Sequence, residues 1–349
     1  MSLQSQFDTL ITVFGGSGFL GRHLVRALAK RHYRIRVAVR RPELAHHLQP
    51  LGRVGQIHAV QANVRHPGSV EAAVRGADVV VNLVGILYER GRQRFDAVQA
   101  FGAEQVALAA GAHGARMIHV SAIGADEGSP SAYARAKAMG EKSVLAATPE
   151  AVIVRPSIMF GPEDAFFNKF AAMARVLPAL PLIGGGLTRF QPVFVGDVAE
   201  AIARAVEGKA IGEPTGPREV ARPDDRLRDA VLRTAMPGAT YELGGPQVRT
   251  FKELMEYLLA TIERRRLLIP VPFALAKLKA TFLQLLPKPL LTPDQVEMLK
   301  YDNVVSAEAE ADGRTLGGLG IEPTAMEVIV PSYLWRFRKT GQFKAGRFA

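Results

Sequence analysis

Leu10-Ile11-Thr12-Val13-Phe14-Gly15-Gly16-Ser17-Gly18-Phe19-Leu20-Gly21 is the stretch on which the fold turns. Five apolar-to-β-branched residues bounded by glycine predict a buried strand. The following Leu20-Gly21-Arg22-His23-Leu24-Val25-Arg26-Ala27-Leu28 carries apolar residues three and four apart, the period of an amphipathic helix. The glycines fit two registers, Gly15-x-x-Gly18-x-x-Gly21 and Gly16-x-Gly18-x-x-Gly21. In either register a tight turn lets the backbone approach a diphosphate, which then rests on amide donors at a helix N-terminus. The last glycine lets the helix pack closely on the sheet. Glycine-rich turns are common; the strand before this one and the helix after it make it a dinucleotide-binding turn.

Outward from that stretch, strand and helix alternate. Strand-like runs occur at 10–14, 35–39, 56–61, 79–83, 117–121 and 152–154, with helical stretches near 19–30, 68–75, 94–113 and 133–146 and a less regular one after Pro42. Six strands joined by helical crossovers predict an α/β fold, a Rossmann-type doubly wound parallel sheet with its ligand beyond the strands' carboxyl ends. After Arg155-Pro156 the rhythm changes. Residues 1–160 are expected to form the NADP(H)-binding domain, with the helix at 196–207 packing back on it. Residues 161–349 are expected to form a smaller C-terminal α+β lobe for substrate or docking. The proline- and arginine-rich 212–238 stretch is expected to be a loop insertion, with a short helix at 226–234. Thr250-x-x-Glu253 is a capping box that opens a helix to Ile262. Thr324-x-x-Glu327 is expected to open a last helix, kinked by Pro331.

Composition narrows the chemistry. Of 349 residues, 48% are hydrophobic and 22% charged, which argues against disorder. With no cysteine, disulfides, iron–sulfur ligation and a nucleophilic thiol are excluded. The eight histidines show no ligand spacing, so no metal is expected. The first strand begins about ten residues in, so no secretory or transit segment is expected. The most apolar stretch, 267–291, is interrupted by Lys277, Lys279, Lys288 and prolines, so no bilayer crossing is expected. The formal net charge of +11 has two explanations: an anionic partner such as phosphate, acidic lipid or acidic protein, or a solvated basic face. Nucleic acid is not expected, because no basic stripe interleaved with aromatics occurs.

Cofactor choice should be set where the second strand ends. An NAD site places a carboxylate there; this chain has Val39-Arg40-Arg41-Pro42 and reaches Glu43 only afterwards. The Arg40 and Arg41 guanidiniums suit a 2′-phosphate, favouring NADP(H) over NAD(H). The alternative is a solvated arginine pair with Glu43 on the ribose. Asn63 and Val64, after the third strand, are candidates to hold the adenine, and Leu83, Val84 and Gly85 to let the backbone pass under the cofactor. Tyr133-x-x-x-Lys137 places a phenol and an ammonium one turn apart on one helix face. A nearby cation favours phenolate; lowering a tyrosine by three pH units amounts to roughly 4 kcal/mol, enough for proton exchange near neutrality.

Together, Gly15-x-x-Gly18-x-x-Gly21, Asn82-Leu83-Val84-Gly85, Tyr133-x-x-x-Lys137 and Arg155-Pro156 resemble an atypical or extended short-chain dehydrogenase/reductase. Phe160-Gly161-Pro162-Glu163-Asp164, Pro192-Val193-Phe194-Val195-Gly196-Asp197-Val198-Ala199 and Tyr241-Glu242-Leu243-Gly244-Gly245-Pro246 narrow the resemblance to one branch. Leu291-Thr292-Pro293-Asp294-Gln295-Val296 and Asp302-Asn303-Val304-Val305 point the same way. That branch holds the NAD(P)H-binding accessory subunit of respiratory complex I and its bacterial relatives. The resemblance implies nucleotide contacts from Ser17, Phe19 and Leu20 in the glycine turn and from Pro156 and Ile158. It implies Ser121, Tyr133 and Lys137 as the catalytic or vestigial set, with Ser121 standing one or more positions short of the family's hydroxyl.

Two functions follow from the resemblance. One is a non-catalytic or weakly catalytic accessory subunit of NADH:quinone oxidoreductase holding structural NADPH. It would be cytoplasmic or peripheral on the inner face of the inner membrane (matrix side in an organelle), against complex I subunits and an anionic membrane surface. The other is an NADPH-dependent reductase of an apolar ketone or alcohol, an isoprenoid quinone precursor or sterol-like compound, with the apolar run 166–183 lining its pocket. The basic, apolar stretch 264–291 fits either an ordinary core helix of the second lobe or a membrane contact.

Overall fold

The apolar runs of the N-terminal half form strands β1 (Leu10–Phe14), β2 (Arg34–Val39), β3 (Ile57–Gln61), β4 (Val79–Asn82), β5 (Arg116–Val120) and β6 (Val152–Pro156). A strand that periodicity did not flag, β7 (Thr240–Leu243), pairs with β6. All are parallel, in the order β7-β6-β5-β4-β1-β2-β3, in a computed structural model that describes residues 8–208, 238–286, 289–339 and 341. The expected insertion at 212–238 and its short helix at 226–234 lie outside the described residues, Gly238 excepted.

The strand order reverses direction between β1 and β4, which opens a crevice beyond their carboxyl ends. Register aligns Ala38, Phe14, Asn82, His119 and Ile153 in one row across the sheet. The crossovers are α1 (Phe19–Lys30), a 3₁₀ segment at Pro42–Leu51, α2 (Pro67–Val74), α3 (Phe101–Ala112) and α4 (Ala132–Ala147). The helix expected at 94–113 begins as a π-type turn at Asp96–Ala100, and α3 continues from it. Helix α1 buries Leu20, Gly21, Leu24, Val25, Leu28 and Ala29, one stripe at helical spacing. On the face covered by α2, α3 and α4, Val70, Ala103, Val106 and Val144 pack with Val80, Met117 and Ile153 of the sheet. Helix α5 (Val195–Glu207) is tied to the end of α1 by Arg31, which bonds Glu200 at 2.6 Å and Glu207 at 2.8 Å.

The chain divides into two compact units. One is Met1–Pro156 with Gly196–Leu243 and Val305–Glu322, and the other is Ser157–Val195 with Gly244–Val304 and Pro323–Ala349. The second unit closes on a core of Phe160, Phe167, Phe190, Phe251, Leu254 and Tyr333. Within the run 166–183, Phe167, Ala171, Ala174, Leu180 and Leu182 lie in that core, so these side chains are spent on packing. Helix α6 (Phe251–Thr261) opens with the expected capping box, both of its bonds present. Thr324 is not the N-cap of the next helix, Met326–Ile329, which starts after Ala325. The helical path breaks before Pro331: Met326–Ile329 and Pro331–Leu334 are separated by Val330, which keeps helical dihedrals, and Pro331 takes the first position of the second segment, where its missing N–H costs nothing.

Candidate functional site

At the end of β1, Gly15 takes φ +78°, a left-handed conformation that side chains disfavour, and its amide donates to the Ala38 carbonyl at 3.1 Å. The Gly18 amide donates back to the Gly15 carbonyl at 3.0 Å, closing the turn. Opposite it, a Cβ on Gly21 would stand 2.5 Å from Gly15 O and from Gly16 C and O, so only hydrogen fits between α1 and the turn. Gly18 is the N-cap of α1, and no side chain caps the helix. The first-turn amides of Phe19, Leu20 and Gly21 therefore face the crevice with the positive end of the helix dipole, the arrangement that binds a diphosphate. Ser17, beside them, is half-buried.

Past β2, Arg40 and Arg41 are exposed, and neither guanidinium has a partner among the described residues. Glu43 is likewise exposed. After β3 the Asn63 carboxamide oxygen accepts the Arg65 amide at 3.1 Å, and Ser69 Oγ accepts the Asn63 amide at 3.0 Å. Asn63 thus shapes its own loop. Val64 is buried against Gly102, where an added Cβ would come within 2.8 Å of it.

The turn after β4 touches both ends of the crevice. A Cβ on Gly15 would meet Leu83 C and Val84 N at 3.4 Å, while one on Gly85 would meet Lys137 Nζ at 3.4 Å. Lys137 reaches this point from α4, whose N-cap Ser131 accepts the Ala134 amide at 3.2 Å. Its ammonium is buried and donates to the Val120 carbonyl at 3.0 Å. Burial pulls the Lys137 pKa down to about 8, against the opposing pull of Glu141. One turn earlier, Tyr133 is half-buried, its ring edge-on to Phe95 at 5.7 Å. Ser121 follows β5; its amide donates to Val154 O at 2.7 Å, but its buried hydroxyl has no partner among the described residues. A buried hydroxyl left without a partner is costly and suits a site awaiting a polar ligand atom.

Pro156 ends β6 in the first unit. In the second, the Ile158 amide donates to Asn303 Oδ1 at 2.9 Å, and Ser157 Oγ donates to the same oxygen at 2.7 Å. The Ile158 N–H is thereby engaged within its own unit. Asn82 and Asn303 stood in motifs of the resemblance without a role of their own, and periodicity did not single out His119, the partner of Asn82 beneath the crevice. Asn82 Nδ2 lies 3.2 Å from His119 Nδ1, and its Oδ1 accepts the Val84 amide at 3.1 Å. Burial, and then the Lys137 charge, push the His119 pKa down to about 3, so this ring is neutral. Among the described residues, no group of three or more His, Cys, Asp or Glu could hold a metal ion.

Three sets of similarities bear on this site. Residues 11–216 match the NAD dependent epimerase/dehydratase family. The chain is 37% identical over 342 residues to NADH dehydrogenase (ubiquinone) 1 alpha subcomplex subunit 9, mitochondrial, of Arabidopsis thaliana, a match covering 95% of this chain and 78% of that protein. It is 36% identical over 203 residues to the ceramide reductase of Caulobacter vibrioides, covering 58% of this chain and 62% of that one. In fold, it resembles an NADPH-dependent quinone oxidoreductase of Escherichia coli solved with NADPH, at TM-score 0.65 and 20% identity over 93% of this chain and 99% of that one.

Proposed function

Because the chain belongs to the NAD dependent epimerase/dehydratase family, we propose that it is a nicotinamide-nucleotide-binding accessory subunit of the membrane-bound NADH:quinone oxidoreductase, holding NADPH as a structural ligand. The observation that carries this reading is likeness over 95% of this chain and 78% of the mitochondrial NADH dehydrogenase (ubiquinone) subunit, where the reductase likeness spans little more than half the chain. The amides of Ser17, Phe19 and Leu20 and the turn glycines Gly15, Gly18 and Gly21 hold the diphosphate. The unpaired Arg40 and Arg41 select the 2′-phosphate. Asn63, Val64, Leu83, Val84 and Gly85 border the nucleotide, and Tyr133 and Lys137 hold the nicotinamide ribose. Pro156 and Ile158 remain nucleotide contacts by resemblance. A ligand held far above its dissociation constant stabilises the fold by several kcal/mol without turnover.

Peripheral attachment to anionic lipid belongs to the same proposal. Helix α7 (Phe273–Leu283) packs one narrow face, Ala276 and Ala280 with the half-buried Phe273, against Ile183 and Val296. Leu275, Leu278 and Phe282, with Leu285 beyond its end, lie within one quadrant of the helix and are exposed, Phe282 at 67% and Leu285 at 80%. Lys279 flanks that stripe. An apolar stripe beside lysine on a basic protein suits a headgroup boundary. No helix among the described residues is long and apolar enough to cross a membrane.

The second function, an NADPH-dependent ketone reductase, is favoured by the orphaned Ser121 hydroxyl. The bound nucleotide would supply hydride, Ser121 would hold the carbonyl oxygen, Tyr133 would deliver the proton and Lys137 would favour its release. Purification in mild detergent separates the two. Co-migration with the respiratory complex, with NADPH retained and no ketone reduced, supports the accessory subunit. Failure to co-purify, with turnover lost in Tyr133→Phe, overturns it. Within either function, Arg40→Ala/Arg41→Ala should weaken NADPH binding about 10- to 100-fold while leaving NADH unchanged, the scale of one or two charge-assisted hydrogen bonds. Equal loss for both nucleotides refutes the 2′-phosphate assignment.

A further inference from the structure

Asn82 and His119 face each other in register across β4 and β5, and each is 1% exposed. The Val84 amide fixes how the Asn82 carboxamide sits. Turned over, the carboxamide would aim its NH2 at an N–H and leave two buried donors facing each other. Its NH2 therefore points at His119 Nδ1 and donates to it. A neutral ring nitrogen that accepts holds no proton, so the imidazole carries its hydrogen on Nε2, a buried atom that has no partner among the described residues in either tautomer. One backbone amide thus dictates the orientation of a side-chain amide, which in turn dictates a tautomer. The chain of dependence also runs the other way. Without an acceptor at the Nδ1 position, the Asn82 NH2 is a buried donor without a partner. Rotating the carboxamide to find one would release the Val84 amide.

The segment that amide belongs to is wedged between the glycine turn and the lysine. Leu83 and Val84 lie against Gly15, and Gly85 lies against Lys137 Nζ. We infer that His119 is a positioning residue for the nucleotide site, acting through Asn82 to fix the 83–85 turn and with it the spacing between the diphosphate-binding glycines and the Lys137 ammonium. This rests on the reading that a nicotinamide nucleotide occupies the crevice, and it adds a residue that makes no contact with the nucleotide.

The test uses the full-length chain stripped of endogenous nucleotide and titrated with two probes, NADPH and adenosine 2′,5′-bisphosphate. The bisphosphate needs the arginines and the glycine turn but nothing near Lys137. His119→Leu should weaken NADPH about ten-fold, the cost of one misplaced charge-assisted contact, and leave the bisphosphate within two-fold. His119→Asn, whose oxygen falls near the position of Nδ1, should restore NADPH affinity. His119→Gln, which mimics Nε2, should not. Equal loss for both probes, or rescue by His119→Gln and not by His119→Asn, overturns the inference. Should His119→Leu fail to fold, Asn82→Leu/His119→Leu removes donor and acceptor together. It should fold and show the same split between probes; unaltered NADPH affinity in that variant also overturns the inference. Nitrogen-15 spectra of labelled histidine give an independent readout, in which His119 should show the Nε2–H tautomer and an Nδ1–H signal refutes the dyad. If the unaltered protein binds neither probe, the nucleotide reading itself fails, an outcome distinct from all of these.

Discussion

Replacing Gly21 by alanine places one methyl group where α1 meets the glycine turn. Its carbon would lie 2.5 Å from three backbone atoms, Gly15 O, Gly16 C and Gly16 O. Relaxed carbon contacts need about 3.5 Å, so helix and turn must separate by about 1 Å. None of the three atoms is the end of a flexible side chain, so the strain cannot be relieved by a rotamer change. Overpacking of this kind costs about 1–3 kcal/mol. For a unit of this size that corresponds to a fall in melting temperature of roughly 2–12 °C. The larger effect should fall on binding: amides displaced by about 1 Å lose one or two charge-assisted bonds to the diphosphate, roughly a 10- to 100-fold loss of affinity. Thermal melts with and without saturating NADPH read both, and the variant should melt lower and lose most of its ligand-induced shift. Gly68→Ala is the control. Gly68 lies in α2, and a methyl carbon there would have nothing within 4 Å, so alanine should stabilise by about 0.5 kcal/mol and leave binding unchanged. Wild-type affinity in Gly21→Ala would refute the reasoning, because a glycine that tolerates a methyl group is not the contact under a diphosphate.

Two further outcomes follow from the same geometry. Lys137 keeps its proton up to its ordinary 10.5 when unfolded but only to about 8 when folded, so the unfolded chain binds more protons between these values. Stability of the nucleotide-free protein should therefore rise with pH over that window, by at most about 1.4 kcal/mol per pH unit. NADPH affinity should fall over the same window as the ammonium is lost; urea midpoints and binding titrations at pH 7 and 9.5 check both, and Lys137→Met should flatten both trends. Thr250→Ala removes the hydroxyl that accepts the Glu253 amide at 3.2 Å and should cost about 1 kcal/mol in the second unit without altering nucleotide affinity, as denaturant unfolding would show.

Most of the first unit was legible because its signals are local. The apolar runs of β1 to β6, the glycine turn and the Tyr133–Lys137 spacing each rest on residues within one or two turns of one another. Capping at Thr250 was legible for the same reason, whereas the helix after the identical pattern at Thr324 takes Ala325 as its N-cap, one residue later. The seventh strand, β7, escaped because four residues carry little periodicity and its partner β6 lies more than eighty residues away in the chain.

The sequence alone determined that a parallel sheet would carry a glycine turn at its carboxyl edge and that two arginines would stand where NAD sites place a carboxylate. Those are properties of short segments, governed by backbone freedom, hydrophobic period and charge. Tertiary structure decided which polar groups were left over. Asn63 turned out to be engaged by its own loop, the Ile158 amide by Asn303, and Leu275, Leu278 and Phe282 of α7 are exposed. The coupling of Asn82 to His119, and of Gly85 to Lys137, likewise exists only once the strands are paired and α4 is packed. The physical reason is that a hydrogen bond between residues 37 positions apart depends on strand register, and register is set by the whole sheet rather than by either residue.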